Sequence, residues 1–285
     1  MATFESPENV VESGKVDLDR MYARAVKKLR GHAVKPEIFC DLYGAQQVEA
    51  DLDEVRRLER IFEAQSAADK IPTGKLAKIF EWIMLESIEL SNWLGEDVVT
   101  IVPSQYDDYI NHVDSIAEFR KQTGGAEYLA FGIDVTIGIG VVHQKLLGIK
   151  DEIKRGKLTR IKYFLSEFAN IRGELSKIPR VVIAISAENA KKLAELWSSA
   201  REKSKLADHP IQFQIIDEIL LQLEYFIDYS REVGNSEVEK IYINMRDIIL
   251  KIKTERLEQD GKQDGGEREE GFRAIESELE KVFSR

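Results

Sequence analysis

The chain reads as an α/β protein, with a mixed sheet of about five strands flanked by helices and helical extensions at both ends. Three observations carry that expectation. Residues 112–137 hold two alternating segments, HVDSIAEFR and EYLAFGIDVTI, joined by KQTGGA, whose Gly124-Gly125 pair suits a tight reversal; this predicts a β-hairpin. The run VVIAI at 181–185, bounded by Pro179 and Ser186, has the unbroken apolar character of a strand buried on both faces. Amphipathic helical stripes fill most of the remainder.

In chain order, residues 17–30 place Leu18, Met21, Tyr22, Ala25, Val26 and Leu29 at steps of three and four, a helix closed by Gly31. Residues 47–65 repeat the pattern with Val48, Leu52, Val55, Leu58, Ile61 and Phe62, and Pro72 and Gly74 then punctuate the chain, so 1–70 is expected to be a helical N-terminal extension. Lys75 to Leu94 is a more apolar helix, stopped by Gly95 and expected to be buried on more than one side. After the hairpin come a helix over 141–155, a short strand at 161–164, the 181–185 strand, and helices over 187–204, 211–231 and 236–257, all within an α/β domain spanning 71–257. The stripe Ile215, Ile219, Leu220, Leu223, Phe226 and Ile227 is core or the surface for a protein partner or homodimer. The glycine-rich, charged stretch 258–271 reads as a flexible linker, and Phe272, Ile275, Leu279 and Phe283 mark a short terminal helix able to dock, making 258–285 a third region.

Charge narrows the function classes. Lys and Arg number 41 against 51 Asp and Glu, a net charge of −10, which argues against a surface that coats nucleic acid or anionic membrane and confines any such contact to a local patch. Cys40 is the one cysteine; it cannot form an internal disulfide or a cysteine-based zinc site and reads as a buried apolar residue. The opening MATFESPENVVESGK has no apolar signal core and no apolar run reaches membrane length, so the expectation is a soluble cytoplasmic protein without a membrane partner. The glycines of FGIDVTIGIG lack the Lys-Ser/Thr ending of a phosphate loop, and His32, His112, His143 and His209 are scattered without zinc-ligand spacing, so nucleotide hydrolysis and zinc hydrolysis are disfavoured.

The chemistry lies in carboxylates. Leu129, Phe131, Ile133 and Val135 share one face of the second hairpin strand, which leaves Asp134 on the other face between Gly132 and Thr136. An aspartate in mid-strand is costly unless solvated, paired or metal-bound. Asp114 stands at the start of the partner strand, and two convergent carboxylates are the minimum for holding Mg²⁺ or Mn²⁺. Glu86 falls in the apolar arc of the preceding helix and is preferred, on helical position, to Glu89 as a third carboxylate. Asp107 and Asp108 read as turn or cap residues.

This order, a helix with Glu86, a strand with Asp114, a strand with GIDVT and a helix carrying His143-Gln144-Lys145, resembles the PD-(D/E)xK nuclease superfamily. The resemblance implies a restriction-endonuclease-like α-β-β-β-α-β core over about 75–186. It further implies that Asp114, Asp134 and Glu86, with the carbonyl of Val135, hold Mg²⁺ or Mn²⁺ for phosphodiester cleavage. Thr136 stands where the triplet lysine is usual; some members carry that lysine on the following helix, where Lys145 is the candidate, and Gln144 matches a glutamine that exonuclease-like members carry there.

Residues 145–162 contain seven basic residues against Asp151 and Glu152, a local charge of +5. Lys150, Lys154, Arg155, Lys157 and Arg160 are therefore candidates for contacting phosphates, with a solvated helix face as the alternative. The sequence reading is a Mg²⁺-dependent nuclease acting on nucleic acid, DNA in the first instance. The alternative is a catalytically inactive nuclease-like scaffold that binds nucleic acid or a protein.

Overall fold

A helix without a polar face has to be enclosed, and the apolar helix expected over 75–94 is the element around which the others assemble. The computed structural model describes residues 7–66, 72–120, 129–137, 139–260 and 268–284. In chain order its elements are α1 (Pro7–His32), α2 (Cys40–Tyr43), α3 (Ala45–Ser66), α4 (Pro72–Ser91), β1 (Val98–Ile101), α5 (Gln105–Asn111), β2 (Ser115–Phe119), β3 (Leu129–Ile137), α6 (Ile139–Arg155), β4 (Thr159–Leu165), β5 (Arg172–Ile178), β6 (Arg180–Ile185), α7 (Ala187–Ser198), α8 (Ile211–Glu232), α9 (Ser236–Asp260) and α10 (Glu270–Phe283).

Ile79, Phe80, Ile83, Met84 and Ile88 of α4 are buried, and α1 lays Met21, Ala25 and Leu29 into the same core while α7 packs against α4 as well. The sheet is mixed, in the order β1-β2-β3-β6, with β1-β2 and β2-β3 antiparallel and β3-β6 parallel. Phe131, Ile133 and Val135 turn one face of β3 into the main core, and β6 is buried along its whole length, as the run 181–185 predicts. The connection from β3 to β6 passes through α6, which packs on both strands.

Several expectations need correction. Among the described residues the main sheet has four strands, and the strand around 161–164 is not one of them: as β4 it pairs with β5 in a separate two-stranded sheet whose register is irregular. β1, β5 and α5 had no counterpart in the sequence reading. The helix expected over 187–204 stops at Ser198 and is followed by a 3-10 turn at Lys203–Leu206. α9 continues to Asp260 and α10 starts at Glu270, which shortens the expected linker from both ends; 261–267, like the KQTGGA reversal, lies outside the described residues. Cys40 is a free, half-buried thiol packed on the Phe39, Val48 and Tyr163 cluster. Phe272, Ile275, Leu279 and Phe283 are buried on the body of the same chain, and Ile215, Ile219, Leu223, Phe226 and Ile227 are core rather than partner surface. No described helix is long and apolar enough to cross a membrane.

Beyond β6 no further strand follows among the described residues, yet its outer backbone groups are paired. Gln222 of α8 accepts from the Val182 N–H at 2.9 Å and donates to the Val182 carbonyl at 2.7 Å. Glu218 accepts from the Ala184 N–H at 2.8 Å, and Glu269, the N-cap of α10, accepts from the Ser186 N–H at 2.6 Å. Side chains thus do the work of a fifth strand, and an edge otherwise open to intermolecular pairing is closed. Burial pushes the Glu218 carboxyl well above its ordinary range. Replacing Gln222 with Ala strands two buried backbone groups and is expected to cost roughly 2–4 kcal/mol of unfolding free energy, read as a lower urea midpoint.

Candidate active site

Asp114 reaches its place because α5 ends abruptly. His112 caps that helix in the left-handed region at φ 55°, turning the chain so that Val113 is buried and Asp114 immediately precedes β2. The β2-β3 ladder stops at Ser115 opposite Ile133, and one step further Asp114 Oδ2 accepts from the Val135 N–H at 2.8 Å. The carboxylate therefore extends the ladder by one bond and is held beside Asp134, with which it shares a hydrogen bond.

Asp134, only 6% exposed, faces α6, where Lys145 donates to Asp134 Oδ1 and, at 3.0 Å, to the Val135 carbonyl. Thr136 is buried further along β3 and does not supply a charge, so Lys145 brings an ammonium to the carboxylate that the β3 triplet itself leaves without one. Gln144 is exposed one residue earlier on α6.

The carboxylate that α4 brings to this cluster is Glu81, not Glu86. Glu81 is buried, with its Oε2 2.7 Å from Lys78 Nζ, and the same ammonium lies 3.5 Å from Asp114 Oδ1 and 3.6 Å from Asp108 Oδ2. Glu86 instead accepts from Trp197 Nε1 at 2.9 Å and pairs with Lys203 at 2.7 Å, while Glu89 accepts from the backbone N–H and hydroxyl of Thr100. Of the two adjacent aspartates, Asp107 is not itself the cap of α5, which is Ser104, but exchanges hydrogen bonds with that cap from the first turn, whereas Asp108 joins the cluster. Glu81 interrupts the apolar run KIFEWIM and has Lys78 one turn away, a signal in the sequence that helical phase alone does not rank above Glu86.

A cavity of about 140 Å³ beside the cluster is lined by Lys78, Glu81, Asp108 and Asp114 with Tyr22 and Tyr109. Two larger cavities, about 550 and 500 Å³, have other linings; Glu86 belongs to the second of these. Size here does not track chemistry.

The basic segment divides three ways. Lys145 enters the site, Lys150 does not offer its charge outward, since its Nζ donates to the Val282 carbonyl at 2.5 Å and sits over Tyr229, and Lys162 pairs with Asp51 among Tyr43, Tyr106 and Tyr163. Lys154, Arg155, Lys157 and Arg160 are exposed, Arg155 paired with Asp151 and Arg160 3.8 Å from Glu174.

Four carboxyl groups against two ammonium groups cannot all be ionised cheaply at this burial. Burial, reinforced by the Asp114 charge and opposed by Lys145, pushes Asp134 up to about 7. Burial and Asp114 likewise push Glu81 up to about 8, and burial brings Asp108 to about 6 against the pull of Lys78. Asp114 goes the other way: Lys78 and Lys145, with the hydrogen bonds from Asp134 and Val135, outweigh its desolvation and hold it below the usual range. Three surrounding carboxylates outweigh burial at Lys78 and keep it charged.

Among the described residues no group of three or more His, Cys, Asp or Glu side chains is arranged to hold a metal ion; Lys78, Lys145 and, 3.8 Å from Asp134 Oδ2, Arg180 are counter-charges. Comparison with protein-family models, curated proteins and solved structures finds no match to this chain.

A carboxyl whose folded pKa is raised contributes stability below its unfolded value that is lost as pH rises through the folded one. Unfolding free energy without added metal is therefore expected to fall between about pH 5 and pH 8, following Asp134 and Glu81. Glu81→Gln, which mimics the protonated form, flattens that slope and is more stable than the parent at pH 8.5 by at least about 1 kcal/mol, measured by urea denaturation across pH.

Proposed function

We propose that the protein is a divalent-metal-dependent nuclease with a restriction-endonuclease-like core, acting on nucleic acid and on DNA in the first instance. The observation that supports this most is the junction of the two acids at Val135, whose N–H donates to Asp114 Oδ2 while Lys145 reaches both the adjacent Asp134 carboxylate and the Val135 carbonyl. The order α4, β1, β2, β3, α6, β6, with the β4-β5 hairpin inserted, is compatible with the α-β-β-β-α-β plan that the sequence motifs suggest.

The donor set fits a hard cation. Glu81, Asp108, Asp114, Asp134 and Glu152 against Lys78, Lys145 and Arg180 leave a formal charge of 5 − 3 = 2 negative units, balanced by protons at the raised carboxyls and replaceable by Mg²⁺ or Mn²⁺. Asp114, Asp134 and the Val135 carbonyl would be its ligands, with Glu81 in the place assigned to Glu86 from sequence. When bound, such an ion supplies a water of lowered pKa and charge neutralisation at the phosphorus. Lys145, once released from Asp134, has its ammonium free to hold the attacking water or a non-bridging oxygen of the phosphodiester. Gln144 is exposed on the same helix to meet the substrate, and Lys154, Arg155, Lys157 and Arg160 give the backbone a positive track.

A second reading, an inactive nuclease-like scaffold, is favoured by Thr136 at the triplet's lysine position and by the closed Asp134-Lys145 pair. Cleavage of linear, circular and single-stranded DNA and of RNA with Mg²⁺ or Mn²⁺ separates the two. Asp134→Ala is expected to lose at least about 100-fold in cleavage rate with its circular dichroism unchanged, and Lys145→Ala a similar factor. Glu81→Gln lowers cleavage while Glu86→Gln leaves it intact. Nucleic-acid binding without cleavage by the parent at any metal concentration would establish the scaffold instead. Reversing Lys154 and Lys157 to Glu is expected to weaken binding and to reduce its salt dependence by about two ion units.

A further inference from the structure

Behind Asp134 lies a charged group that the functional reading leaves unused. Arg180 opens β6 directly after Pro179, opposite Gly132 in the parallel register, and its side chain is 7% exposed. One terminal nitrogen, Nη1, donates to the His112 carbonyl at 3.0 Å and lies 3.8 Å from Asp134 Oδ2; the other, Nη2, donates to Glu152 Oε1 at 2.5 Å. His112 is the residue that ends α5 in the left-handed region, a conformation costly for any residue with a Cβ, and it stands two positions before Asp114.

Gly132 gives room to the stem of the Arg180 side chain, while a Cβ at Gly148 of α6 would stand at ordinary contact distance from its guanidinium. A Cβ at Gly132 of β3 would sit 3.2 Å from Arg180 Cγ and 3.2 Å from Val113 Cγ1, tighter than ordinary packing, and one at Gly148 of α6 would come 3.8 Å from Nη2. Gly132 is the residue two before Asp134 on the same face of the strand, so a larger side chain there would push Arg180 away from the carboxylate.

The arrangement is a poor device for stability alone. Arg180 Nε and Glu152 Oε2 are buried without a hydrogen-bond partner among the described residues, and a buried ion pair left partly unsatisfied commonly does no better than apolar side chains of similar volume. What it supplies is geometry. The planar fork engages the α5-β2 corner and Glu152 by hydrogen bonds while facing the β3 carboxylate, which the single point charge of a lysine cannot do.

We propose that Arg180 is a positioning residue of the metal site: by joining the His112 corner, which carries Asp114, to the Asp134 carboxylate, it sets the spacing between the two acids that ligate the cation. This rests on the reading of Asp114 and Asp134 as cation ligands. The role is indirect, since Arg180 itself touches neither metal nor substrate.

The test is Mn²⁺ titration calorimetry on the full chain, comparing the parent with the double variant Arg180→Met, Glu152→Leu, which removes both charges and keeps the volume filled. The double variant is expected to melt within a few degrees of the parent, to bind Mn²⁺ at least tenfold more weakly, and to lose kcat on an oligonucleotide while KM stays within twofold. Arg180→Lys, which keeps the charge without the fork, is expected to show the same loss of Mn²⁺ affinity and serves if the double variant does not fold. Mn²⁺ affinity within twofold of the parent in a folded variant overturns the role of Arg180 alone; a folded parent that binds no Mn²⁺ overturns the metal site and this inference together.

Discussion

A side-chain oxygen accepting a backbone N–H from another element is the interaction on which this fold depends. Asp107 of α5 takes the Lys162 and Tyr163 N–H groups of β4, and Glu118 of β2 takes those of Glu167 and Phe168 in the turn that follows β4. Gln222, Glu218 and Glu269 close the edge of β6, and Asp114 takes the N–H of Val135. Each joins segments that the apolar core alone would leave free to slide. Bonds to an ionised acceptor are stronger than neutral ones, and in a low-dielectric setting they are directional enough to fix register as well as proximity.

At the candidate site the same device is pushed beyond structural need. One carboxylate suffices to hold Val135; four converge, and Lys78 and Lys145, with Arg180 shared with Glu152, fall short of balancing them. The strain is expressed as protons retained at Asp134 and Glu81. Elsewhere in the chain a buried carboxylate has its backbone donors and little surplus, as at Asp107 with four hydrogen bonds to its two oxygens.

Much of this was legible in the sequence, and what was not has physical causes. β2, β3 and β6 announce themselves by alternation or by an unbroken apolar run, and α4, α6 and α8 by stripes three and four residues apart. β1 is a four-residue strand and β5 contains Gly173 and Lys177 at φ 115° and 61°, so neither has a clean period to read. Asp114, Asp134 and Lys145 are brought together as their positions on successive elements require. Glu81 is not singled out by sequence because helical phase reports which arc faces inward and not which neighbour meets it: Glu86 is half-buried on that arc and is satisfied by Trp197 and Lys203. The approach of Arg180 to Asp134 is hidden for a different reason, since it arises from the parallel pairing of β3 with β6, which sets Gly132 opposite a residue 48 positions further along the chain.

The net charge of −10, which first seems to count against a nucleic-acid partner, looks different once its carboxyls are located. That figure takes every acid as ionised. Burial pushes Glu81 up to about 8 and Asp134 up to about 7, and holds Glu218 well above the ordinary range, so these acids add less negative charge near neutral pH than the count implies. Others among the acids are turned inward, bound to backbone N–H groups, and contribute less to the field a polyanion meets than their number suggests. On the outside, Lys154, Arg155, Lys157 and Arg160 stand at the C-terminal end of α6 and the start of β4, on the continuation of the helix that carries Lys145. Composition counts these charges equally; folding separates them, burying Glu81, Asp134 and Glu218 while Lys154, Arg155, Lys157 and Arg160 stay exposed, Arg155 beside Asp151 and Arg160 beside Glu174.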